Sequence, residues 1–131
     1  MNSYNGFSPQ QRTAAQKWLN KAWAAGTLPR PSKCHGCGQT DGPIDAHAED
    51  YSTPFGPHLQ AFELCYLCHI MLHCRFRSPG AWNRYRDVIR AGRRYRPQGR
   101  NFNAVKRLLN GEVLPYDTCD PPSPPALDQV P

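Results

Sequence analysis

Leu64-Cys65-Tyr66-Leu67-Cys68-His69-Ile70-Met71-Leu72-His73 is the stretch whose reading decides the fold. Cys65 and Cys68 have the C-x-x-C spacing with which two thiolates grip one zinc ion from a tight turn. His69 and His73 stand four apart, so on a helix they share a face and can bind a second metal together. Ile70, Met71 and Leu72, between them, pin that helix inward. One element thus finishes a structural site and begins a working one, and the other ligands must come from elsewhere in the chain.

For the structural site they come from Cys34-His35-Gly36-Cys37-Gly38, a zinc knuckle whose glycines let the backbone fold around a metal. Cys34, Cys37, Cys65 and Cys68 give C-x2-C-x27-C-x2-C. Four thiolates satisfy tetrahedral zinc and leave no open position, so this site is expected to staple the fold. His35 is a rival ligand inside the knuckle, but the geometry favours the two cysteines. For the second site, Ile44-Asp45-Ala46-His47-Ala48 alternates as a strand does, placing Asp45 and His47 on one face. His47, His69 and His73 then form a three-imidazole set with coordination positions left for water and a phosphate oxygen. That suits a metal acting as a Lewis acid on a phosphodiester.

The order C-x-x-C, A-H-x-E-D-Y-S-x-P, L-C-x-x-C-H-x3-H resembles the HNH endonucleases, the zinc-stapled ββα-metal nucleases of phages and bacteria. The resemblance covers Cys34 to His73 and none of the flanking helices. It implies an α+β fold with a ββα-metal core, a catalytic divalent ion (Mg²⁺, Mn²⁺ or Zn²⁺) beside the structural zinc, and hydrolysis of duplex DNA, as in a restriction or phage enzyme. It makes His47 and His69 metal ligands and His73 a further ligand or phosphate contact. The family's loop-holding asparagine falls near Gln60, with His58 as the rival. The general base falls on Ala48, whose methyl group accepts no proton. Since such a base contributes ~100- to 10,000-fold, the chain is expected to bind metal and DNA but to cut slowly or not at all. Three explanations stand open. The alanine replaces a histidine to trap an uncut complex; or His47 is itself the base, with Asp45 as ligand; or the chain is a naturally inactive relative.

The chain has 131 residues, 14 of them proline, and a net charge of +6. Its length suits one domain with a modest core helped by metal. The charge is concentrated: from Arg75 to Arg107 there are eleven basic residues against the single acid Asp87, a local +10. A field of that sign favours a polyanion. The candidate DNA contacts are Arg75, Arg77, Arg84, Arg86, Arg90, Arg93, Arg94, Arg96 and Arg100, with Tyr95 as the aromatic among them. The first twenty residues lack the apolar run of a secretory leader, and no stretch is long enough to span a membrane. The expectation is a cytoplasmic protein whose six cysteines serve metal rather than disulfides.

Four segments follow. Residues 1–33 hold a helix starting at the cap Ser8-Pro9, then an extended linker. Its stripe of Ala14, Ala15, Trp18, Leu19, Ala22 and Trp23 is a packing face or a homodimer interface, as is the last helix. Residues 34–77 are the ββα-metal module, and 78–111 a basic helical extension carrying Trp82, Tyr85, Val88 and Ile89 on one side. Residues 112–131, rich in proline, read as a disordered tail. Cys119 there is expected as a free thiol, and Cys74 as a small packed apolar residue. The competing reading is a non-catalytic zinc module that binds DNA; a zinc-stapled protein-interaction module stands behind it.

Overall fold

The computed structural model describes residues 1–120 and 126–131. It is a mixed α+β chain with four α-helices and two small antiparallel sheets. Helix α1 (Pro9–Ala24) starts as its sequence predicts: the Ser8 hydroxyl accepts from the Gln11 amide while the Gln11 side chain accepts from the Ser8 amide, so two otherwise orphaned donors are satisfied. Strands β1 (Ile44–His47) and β2 (Phe62–Cys65) form a hairpin, with Asp45 opposite Leu64 and His47 opposite Phe62. Helix α2 (Tyr66–His73) follows β2 directly.

Between the strands, Pro57–Gln60 forms a short 3-10 turn, with Pro57 supplying no amide to a ladder. Leu59 at its centre is buried and packs against Ala15 and Leu19 of α1. Trp18 and Trp23 join this minor core, so the stripe on α1 is covered by its own chain rather than held open for a second subunit.

Helix α3 (Pro79–Arg90) and helix α4 (Asn103–Leu109) build the main core against α2. The last helix buries Ala104, Val105 and Leu108 there, with Phe102 exposed at its start. Within the basic helical extension, Arg93–Tyr95 forms strand β3, which pairs with β4 (Tyr116–Thr118).

The largest correction concerns 112–131. Leu114, Leu127 and Val130 are buried in the main core, the chain makes a 3-10 turn at Ala126–Asp128, and Arg75 donates to the Pro131 carbonyl. The proline content was the wrong guide, because three well-placed apolar residues are enough to hold such a segment. The run 121–125 of that segment lies outside the described residues. No described helix is long and apolar enough to cross a membrane.

Candidate functional site

The four cysteines of the knuckle and of the β2–α2 junction are buried, and their sulfurs all lie within 4.8 Å of one another. Cys37 Sγ and Cys65 Sγ are 3.8 Å apart. Zinc–sulfur bonds of ~2.3 Å in a tetrahedron put neighbouring sulfurs ~3.8 Å apart, so the cluster can hold a structural metal such as zinc. Hydrogen bonds from Cys37, Cys65 and Cys68 pull the Cys34 thiol far down, while the thiols of Cys65 and Cys68 are pushed up, first by their bonds to Cys34. A bound dication would hold all four sulfurs as thiolates. Tyr85, fully enclosed, places its hydroxyl 3.1 Å from Cys68 Sγ. His35 is no ligand: both of its ring nitrogens face Glu63.

The three histidines come together. His47, His69 and His73 each bring a ring nitrogen to within 4.8 Å of the others. Their ring centroids form a near-equilateral triangle of 4.8–5.2 Å sides. The cause is a match of periods. Two residues along a strand advance ~6.6 Å and four along a helix ~6 Å, so the Asp45 and His47 face of β1 lies over the His69 and His73 face of α2.

Behind two of the imidazoles stand carboxylates, each tied to an arginine. Asp45 faces His69 Nδ1 at 3.1 Å and pairs with Arg100 through its other oxygen. Glu49 faces His47 Nε2 at 2.5 Å and pairs with the buried Arg75 at 3.0 Å. A carboxylate on one ring nitrogen sets the tautomer and turns the other nitrogen's lone pair toward a metal. His47 Nδ1 is buried and has no hydrogen-bond partner among the described residues, as a ligand atom should. His69 Nε2 lies 3.1 Å from His73 Nε2.

Burial, with His69 nearby, lowers His47 to about 4; burial and the neighbouring His69, His47, Arg12 and Arg75 lower His73 to about 3. Both rings are therefore neutral at physiological pH, the form that binds metal. Burial alone would raise Glu49 and Asp45, but bonds from Tyr4, Asn5 and His47 to the first, and from His69 and Arg100 to the second, hold both carboxyls down.

Glu49 and Tyr4 were not anticipated. Tyr4 donates to Glu49 at 2.5 Å, Asn5 reaches the same carboxylate at 3.0 Å, and the Tyr4 ring lies 4.7 Å from that of His73. The N-terminal turn therefore walls the histidine cluster. Glu49 was legible in principle, since it stands two residues beyond His47, but Tyr4 was not.

Ala48 is 1% exposed. An alanine suits this enclosed position, and its methyl group accepts no proton. Asp45 faces His69 and Arg100, and His47 stands with His69 and His73 as the third imidazole of the cluster. Gln60 holds the loop: it accepts from Trp23 Nε1 at 2.8 Å and donates to the Pro29 carbonyl at 2.9 Å. His58 ties that loop to itself through the Ser52 carbonyl.

The candidate DNA contacts scatter. Arg75 is buried on Glu49, and Tyr95 is buried against Tyr85 instead of lying open in a basic loop. Arg86 and Arg90 pair with Asp128, Arg96 lies 3.9 Å from Asp117, and Arg93 lies over the Tyr116 ring. Arg94 is half-buried near the Cys37 carbonyl. Arg77 and Arg84 are exposed and make no ion pair among the described residues.

Comparison of the chain with protein-family models, with curated proteins and with solved structures returns no match.

Proposed function

We propose that this chain is a metal-dependent nuclease of the ββα-metal (HNH) type acting on duplex DNA, with weak cleavage because no side chain occupies the place of the general base. The observation that carries the reading is the triangle of His47, His69 and His73 backed by Glu49 and Asp45. Three imidazoles, two of them with tautomers set by carboxylates, suit a divalent ion, and positions remain for a phosphate oxygen and water. A divalent cation held there supplies Lewis-acid stabilisation to the charge of a phosphodiester undergoing attack. The chain's own part is orientation: Glu49 holds the His47 proton on Nε2, Asp45 holds the His69 proton on Nδ1, and Tyr4 screens one side from water.

Ala48 favours the second reading, a non-catalytic zinc module that binds DNA. The two separate in one experiment. The zinc-loaded chain is titrated with Mn²⁺ and incubated with supercoiled plasmid. One Mn²⁺ bound per chain and slow nicking that disappears in His69→Ala support the nuclease. A zinc-only chain that never nicks at any Mn²⁺ concentration overturns it and leaves the binding module.

A further inference from the structure

We propose that one strand of duplex DNA lies in the cleft between α1 and β1, with Arg30 and Arg100 binding phosphates to one side of the histidine cluster and Arg12 serving the other. The proposal rests on the reading of the chain as a DNA-acting protein and assigns the contact surface that reading requires.

A groove of about 440 Å³ is walled by Gln16 and Trp23 of α1, Arg30 of the linker, Asp45 of β1, His69 and Arg100. A second hollow of about 110 Å³ shares Gln16, Ala46 and His69 with it and extends toward Arg12. The two meet at His69, a member of the histidine triangle. Cations therefore stand at both ends of one cleft and the metal-binding imidazole in its middle. A phosphodiester strand needs that order, because each phosphate flanking the reacting one carries its own charge.

Arg30 and Arg100 are available, while Arg12 is half-buried, donates to the Asn2 carbonyl and lies over the Tyr4 and Tyr51 rings. Arg30 is exposed and rests over the face of Trp23 at 5.7 Å. Arg100 is 59% exposed by its side chain and, among the described residues, is tethered only to Asp45. The partly open Trp23 ring, which Arg30 faces, gives that end of the cleft an apolar wall against which a deoxyribose can pack. The basic helical segment is less suited, because Arg86 and Arg90 are already held by Asp128, Arg96 faces Asp117 and Arg75 is buried on Glu49.

The test is fluorescence anisotropy of a labelled duplex with the full zinc-loaded chain across a salt series. Arg30→Ala and Arg100→Gln are each expected to weaken binding about tenfold and to flatten the log–log salt slope by about one. Arg77→Ala and Arg84→Ala are expected to lose less. Gln16→Arg, which adds a cation where the hollows meet, is expected to tighten binding several-fold, a gain that misfolding cannot imitate. Wild-type affinity in Arg30→Ala, Arg100→Gln and Gln16→Arg, with the loss falling on Arg77 and Arg84, overturns the cleft and leaves the DNA reading intact. Failure of the unaltered chain to bind duplex even at low salt removes that reading, and the cleft with it.

Discussion

At the scale of the residue, Glu49 does most to turn three histidines into a site. It accepts from His47, Tyr4 and Asn5 and is anchored by Arg75, so four residues from three parts of the sequence converge on one carboxylate. Each of its oxygens is already engaged, which makes it a positioning residue rather than a base. Partners of this kind typically change metal affinity by ~10- to 100-fold when removed. Glu49→Ala is expected to weaken Co²⁺ binding at the histidine site within that range, and Glu49→Gln to weaken it less. Both can be read from the visible absorption of Co²⁺ added after the cysteine site is filled with zinc. Equal affinity in all three proteins would remove Glu49 from the site. Asp45 plays the matching part for His69, from a strand face that the alternation of Ile44–Ala48 announces.

At the scale of the element, the hairpin and α2 depend on the knuckle that closes over them. Gly36 is buried where the knuckle passes the cysteine cluster. A Cβ added there would stand 2.9 Å from a Leu127 methyl and 3.1 Å from Cys68 Sγ. The leucine tip can yield, but the sulfur is held by its neighbours. Gly36→Ala is therefore expected to destabilise the fold by about 1–3 kcal/mol and to speed zinc loss. The measurements are the denaturation midpoint and the rate of zinc transfer to a coloured chelator; no change in either would show that the knuckle has slack. The same element logic explains Gln60. It joins Trp23 to the Pro29 carbonyl, and so fastens α1 and the linker to the loop between the strands.

At the scale of the whole molecule, the end of the chain closes the structure. Leu127 is 1% exposed and sits in the main core with Val130, far in sequence from the helices it covers. Its acids complete the arrangement: Asp128 takes Arg86 and Arg90, Asp117 approaches Arg96, and Glu112 takes Arg107. A segment of +10 in the sequence is thus partly balanced in space. Leu127→Ala is expected to cost about 2–5 kcal/mol in urea unfolding of the full chain. A disordered tail would give no cost, so an unchanged midpoint would restore that view.

What the sequence determined by itself is local: the Ser8 cap, the two C-x-x-C pairs, the strand alternation and the i, i+4 histidines. Each is set by bond geometry over a few residues, so spacing alone reveals it. The fold class and the metal-ligating candidates were legible for that reason. Tertiary structure alone decided what depends on distant partners. It buried Tyr95 and Arg75, turned His35 to Glu63, enclosed Ala48 and brought Tyr4 onto Glu49 across 45 positions of sequence. It also drew the proline-rich end into the core and set its acids against the arginines. Burial and charge pairing are properties of position in space. Composition counts residues without saying which will meet, and so it overstated both the basic face and the disorder of the tail.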